Sequence, residues 1–152
     1  MSDDNDTLVI KLGRRAPYTQ VGDWVMLAKI RQPAKVLYWA LSAHINNDRR
    51  RDGDTEVWPT QEQLAEMLGY SRADKIRPFL ADLVAIDAIE IRKEPVAGGG
   101  NREKSIYTVH QTPPAGWTGF ETLARFHADW KARKDSEGRD PKRGETDSRD
   151  LK

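Results

Sequence analysis

The chain has 152 residues, 32% of them charged, a formal net charge of +1 and no cysteine. That length fits one domain with a terminal appendage and is enough to bury a real core, while the missing cysteines exclude disulfides, thiolate metal sites and cysteine nucleophiles. No apolar run approaches the roughly 20 residues that cross a bilayer, and the acidic Met1–Asp6 has neither the basic nor the apolar region of a signal peptide, so a cytoplasmic protein with no membrane partner is expected.

In chain order, residues 1–7 read as a loose N-terminus. Thr7–Leu12 and Val21–Leu27 have the β-branched, partly alternating character of short strands. Pro33 then marks the first turn of a helix, where its missing N–H costs nothing. That helix is expected to reach Ile45, with Leu37, Tyr38, Leu41, His44 and Ile45 on one face and Val36, Trp39 and Ala43 covered on another. A polar loop from Asn46 to Glu56 follows, carrying Arg49-Arg50-Arg51 between Asp48 and Asp52. The flanking aspartates leave two readings of that run open, a phosphate contact or a solvated loop.

Thr60, followed three residues later by Gln63, forms a capping-box start. Leu64, Met67 and Leu68 make an inward stripe, and Gly69 stops the helix in the left-handed conformation that glycine favours. Ser71 with Asp74 offers a second capped start, after which Ile76, Leu80, Leu83 and Val84 recur at helical spacing. Ile89–Glu94 and Ser105–His110 then form a hairpin around Gly98-Gly99-Gly100-Asn101. Ile89 and Ile91 face inward opposite Tyr107 and Val109, while Glu90, Arg92, Thr108 and His110 face outward.

Gln61-x-x-Leu64-Ala65-x-x-Leu68-Gly69-Tyr70-Ser71 resembles the first helix and turn of a helix-turn-helix, and the hairpin after Leu80-x-x-Leu83 resembles a wing. The resemblance spans residues 20–112 and is most specific over 60–91. It extends to small winged-helix proteins of actinobacteria, their plasmids and phages, and to winged domains of plasmid replication initiators. Three positions depart from that pattern. Ile76 falls one residue late after Gly69, Pro78 sits within the second helix, and Asp87 replaces the glycine common between helix and wing.

The resemblance implies an α+β fold: a winged helix-turn-helix over residues 8–112, then a linker and amphipathic C-terminal helix over 113–134. It also implies a sequence-specific partner, double-stranded DNA, read by a helix in the major groove. Arg72, Lys75 and Arg77 then meet base edges or phosphate, and Thr60, Gln61 and Ser71 position the backbone. Lys93, Arg102 and Lys104 on the wing contact backbone or minor groove. The bland counterpart is a solvated helix face beside an ordinary hairpin, and Asp74, Glu94 and Glu103 suit it.

No catalytic constellation accompanies these residues. His44, His110 and His127 lack metal-ligand spacing, His44 reads as a packed helix residue, and no nucleophile elbow or carboxylate pair occurs. The triple glycine lacks a following Lys-Ser or Lys-Thr, so it is a hairpin tip and not a phosphate loop. No enzyme, cofactor or metal is expected.

After Pro113-Pro114, a helical face of Phe120, Leu123, Ala124, His127 and Trp130 either caps its own domain or pairs with its copy in a homodimer. Residues 135–152 mix opposite charges with Gly, Pro and Ser and hold one aliphatic residue, Leu151, so they read as disordered. The function expected is transcriptional regulation. The alternatives are a plasmid or phage replication or partition factor and, in a different class, a winged-helix protein-interaction module.

Overall fold

The computed structural model describes residues 13–14, 19–45 and 53–138; the strand expected at Thr7–Leu12 and the Arg49–Arg51 run lie outside the described residues. In place of the strand expected over Val21–Leu27, the chain makes one helical turn, α1 (Asp23–Met26). Trp24 and Val25 are adjacent and both fully buried, whereas a strand would send them to opposite faces. Gly22 permits this turn: a Cβ there would lie 2.5 Å from the Gln111 carbonyl oxygen. That same carbonyl accepts the Trp24 indole N–H at 3.1 Å.

Helix α2 (Gln32–Ala43) opens on Pro33 and buries Ala34, Leu37, Tyr38, Leu41 and Ser42. Its other side is not covered, since Trp39 is 57% exposed and Val36 is exposed too. His44, expected to pack, is exposed beyond the last turn, with Nδ1 2.7 Å from the Ala40 carbonyl. The Tyr38 hydroxyl donates to the His110 carbonyl at 2.5 Å, tying α2 to the end of the sheet.

Strand β1 (Glu56–Val57) falls at the end of the expected loop; two residues are too few to give a period. Helix α3 (Gln61–Met67) starts with the expected capping box: Gln63 N–H donates to Thr60 Oγ1 at 3.0 Å and Thr60 N–H to Gln63 Oε1 at 2.8 Å. Leu64 and Ala65 are buried, but Met67 of the expected stripe is exposed. Gly69 ends the helix at φ +86°. Its N–H donates to Glu66 O and that of Tyr70 to Ala65 O, the paired bonds of a Schellman ending.

The second helix begins as a short 3-10 turn (Ala73–Ile76) and becomes regular as α4 (Arg77–Ala85). Ser71 is not its cap: Arg72 holds the N-cap position, and no side chain caps it. Pro78 therefore lies in the first turn of α4, where its missing N–H breaks no helical bond. The 3-10 turn also accommodates the late Ile76, which is fully buried with Leu83, while Val84 is exposed. At the far end Asp87 takes φ +61°, and Asp87 N–H to Val84 O with Ala88 N–H to Leu83 O repeats the Schellman pattern of Gly69. The junction thus keeps a glycine-like backbone without glycine.

Strands β2 (Ile89–Pro95) and β3 (Glu103–Val109) pair in the expected register, Ile89 with Val109 and Ile91 with Tyr107. Among the described residues the fold is mixed α+β, with one antiparallel sheet of order β1-β3-β2. Ile89, Tyr107 and Val109 are buried, whereas Ile91 is already partly exposed as the hairpin leaves the core. On the outer face Arg92 pairs with Glu56 at 3.0 Å and with Glu94, and His110 Nε2 lies 2.7 Å from Glu90.

After the sheet, Trp117 returns to the core edge-on against Trp24, centroids 5.0 Å apart. Helix α5 (Leu123–Gly138) buries no residue. It starts after Phe120, which packs edge-on against Phe126, so the expected stripe is not a single helical face. Phe126 in turn stacks on Trp130. The helix also takes in residues 135–138 of the segment expected to be disordered, with Lys134–Glu137 pairing at 3.4 Å; residues 139–152 lie outside the described residues. No helix of the described residues is long and apolar enough to cross a membrane.

Candidate nucleic-acid interface

Six of the nine residues picked from the sequence line one open cleft of about 640 Å³: Thr60, Gln61, Arg77, Lys93, Arg102 and Lys104. They come from four places: the start of α3, the start of α4, strand β2 and the hairpin end leading into β3. Period-two alternation puts Lys93 on the face of Ile89 and Ile91, just beyond the core. Its Nζ donates to Oγ of its register partner Ser105 at 2.8 Å. Arg102 Nε donates to the Gly99 carbonyl at 3.3 Å, holding the guanidinium at the hairpin tip. Lys104 Nζ stands 5.4 Å from the centroid of the Trp58 ring. That cation–π contact fixes where the charge is held.

The cleft gathers four cations against one carboxylate, Glu103. Its neighbour has the opposite balance: a hollow lined by Glu62, Glu66 and Asp74 beside Arg72 and Arg77, with Ser71 at its edge. Arg77 stands between the two; its backbone N–H donates to the Asp74 carbonyl, and its guanidinium has no hydrogen-bond or ion-pair partner among the described residues. Charge that nearly cancels over the whole chain is therefore unevenly distributed, as a nucleic-acid interface requires.

Three candidates stand differently from expectation. Arg72 is committed to Asp74, with Nε 3.1 Å from Oδ1 and Nη2 2.5 Å from Oδ2. This hydrogen-bonded pairing raises the Arg72 pKa and lowers that of Asp74. Ser71 lines the acidic hollow, away from the cationic cleft. Lys75 is exposed on the 3-10 turn and lines neither hollow. The Thr60 amide and hydroxyl already serve the capping box, which limits what Thr60 offers a phosphate.

Trp58 escaped the sequence reading although it forms a wall of the cleft and is 52% exposed. The signal was an aromatic residue just before a capped helix start, in Trp58-Pro59-Thr60. Behind the cleft Tyr107 is fully buried, and its hydroxyl has no hydrogen-bond partner of good geometry among the described residues. Burial raises its pKa, and the nearby Ser105 and Gln61 side chains act the other way. Among the described residues no group of His, Asp and Glu is arranged to hold a metal.

No family model, curated protein or solved structure matches the chain.

Proposed function

We propose that the chain is a winged helix-turn-helix protein that binds double-stranded DNA sequence-specifically and acts in the cytoplasm as a transcriptional regulator. The element order α2-β1-α3-α4-β2-β3, with β1 beside β3, supports that fold. The observation that carries the binding reading is the convergence of Arg77, Lys93, Arg102 and Lys104 on one cleft between helix and hairpin. In this reading the N-terminal part of α4 enters the major groove with Arg77 at base edges, where arginine pairs bidentately with guanine. Lys75 approaches from the preceding turn, and the three hairpin cations neutralise phosphates.

A homodimer completes the proposal. Helix α5 has no buried residue of its own, and Leu123 and Trp130 are exposed along it. Pairing with its copy would bury them and present two α4 helices to two half-sites. The faces offered are Leu123, His127 and Trp130, with Phe120 supporting them through Phe126.

The deciding experiment measures binding to a random-sequence duplex pool across a salt series, followed by selection of bound sites. Phosphate neutralisation predicts an affinity falling linearly on a log–log plot, with a slope of about −0.9 for each phosphate neutralised. Binding to no duplex at low salt would leave the protein-interaction module as the better reading.

A further inference from the structure

We propose that the cleft also takes an unpaired DNA base, stacked against Trp58 where the duplex ends or opens; this rests on the DNA-binding reading above. Trp58 and Pro59 line two hollows at once. On one side is the cationic cleft with Arg77, Lys93, Arg102 and Lys104. On the other is an open hollow of about 370 Å³ lined by His44, Val57, Gln63 and Met67. The indole is thus shared between a surface fit for a sugar-phosphate strand and a space large enough for a base.

The chemistry of the second hollow fits an unstacked base. Trp58 offers a half-exposed aromatic wall and Met67 an exposed thioether, both soft, polarizable surfaces for a π-face. The polar groups at the rim suit a base edge. His44 Nδ1 lies at hydrogen-bond distance from the Ala40 carbonyl, which can only accept, so that nitrogen is the donor there and Nε2 is left to face a base edge, as an acceptor in the neutral ring. Gln63 uses its oxygen for Thr60 N–H, which leaves its amide nitrogen as a donor. Such a hollow has no use for a base inside a continuous duplex, whose faces are already stacked.

The test compares one duplex, blunt or carrying a short single-stranded overhang on either strand, and reads the ratio of the two affinities at fixed salt. The intact protein should prefer an overhang substrate about tenfold, within the range expected of one base stacked on an aromatic side chain. Trp58→Ala should collapse that ratio to near one, and Trp58→Phe should keep most of it. Arg102→Gln, in the same cleft but bonded to the Gly99 carbonyl and not to Trp58, should lower both affinities and leave the ratio standing, which separates stacking from charge. A fluorescent adenine analogue at the overhang should be quenched by the intact protein and not by Trp58→Ala. Tight blunt-duplex binding with a ratio of one in the intact protein overturns this inference alone. A ratio unchanged by Trp58→Ala, in protein that melts normally, also overturns it. Binding to neither DNA overturns it together with the reading on which it rests.

Discussion

Arg72 holds Asp74 with two nitrogens, at 3.1 and 2.5 Å, only two residues along the chain. The pair occupies the turn before α4, where a helix-turn-helix would be expected to offer its cations to DNA. Asp74 titrates below the ordinary carboxylate value of 3.8, chiefly because of the hydrogen bonds from Arg72. A lowered folded-state value means that the pair is intact above about pH 4 and is lost only as pH falls through the lowered value. No mild change of pH releases Arg72, but a substitution does.

Asp74→Asn should therefore raise DNA affinity several-fold at low salt and steepen the salt slope by about one, as Arg72 becomes available to a phosphate. Arg72→Ala in the otherwise intact protein should change affinity less than twofold. A tenfold loss in that single variant would mean that the pair opens on DNA and that Arg72 is a contact after all.

Arg77 carries the specificity argument. Arg77→Ala should cost about 1–3 kcal/mol of binding and relax the preference at one base position. Lys93→Ala or Arg102→Ala should instead weaken all sequences alike and lessen the salt slope by about one. Site selection with each variant distinguishes the two patterns. Equal, sequence-independent losses in all three would assign Arg77 to phosphate as well.

The two helix endings should answer differently to glycine. At Gly69, φ is +86° and nothing lies within 4 Å of an added Cβ, so a substitution there meets only backbone strain. Gly69→Val should destabilise by about 2 kcal/mol, the upper end for one L-residue in the left-handed region. Asp87→Gly should change stability by no more than about 1 kcal/mol, because Asp87 already tolerates φ +61°. Thermal melts of both variants decide, and a Gly69→Val protein that melts like the parent would contradict the turn geometry.

Tyr107 makes the fold sensitive to alkali. Its folded-state pKa is raised above the ordinary 10.0 by burial, so the folded protein keeps the proton where the unfolded chain loses it. Its contribution to stability is full below pH 10 and is lost as pH rises from there through the raised value. Tyr107→Phe should flatten the stability profile above pH 10. At neutral pH it should cost less than about 1 kcal/mol, since it removes a buried hydroxyl with no well-formed partner. A steep alkaline loss in the phenylalanine variant would point to another group.

Helix α5 is expected to be dispensable for the rest of the fold. Ending the chain after Phe120 removes no buried residue of α5 and leaves the Trp24–Trp117 contact in place, so the midpoint should move by less than about 1 kcal/mol equivalent. In the dimer proposal the same truncation, or Leu123→Ala with Trp130→Ala, shifts the sedimenting species to monomer. A parent chain that already sediments as a monomer at high concentration would remove the dimer.

Local chemistry made much of this protein legible in its sequence. The Thr60–Gln63 capping box, the Gly69 turn and the pairing of Ile89 with Val109 follow from residue types and spacing, because each is decided within a few bonds or by a period of two. The same holds for the hairpin around its glycines and for the conclusion that no disulfide exists. Tertiary packing decided the rest. Val21–Leu27 reads as a strand by propensity, yet Trp24 and Val25 are buried together, Trp24 against Gln111 and Trp117, which alternation would not allow. The stripe around Phe120 reads as one helical face, but Phe120 lies before the helix and folds back on Phe126. Arg72 looks like a binding residue by position, and there a local contact decides instead, since the turn brings Asp74, two residues on, to its guanidinium. Trp58 and the hairpin cations are far apart in the chain, and only the register of β3 against β1 and β2 brings them to one cleft. A sequence lists the charges; which of them face one another depends on long-range pairing, and that alone turned a net charge of +1 into a cationic cleft beside an acidic hollow.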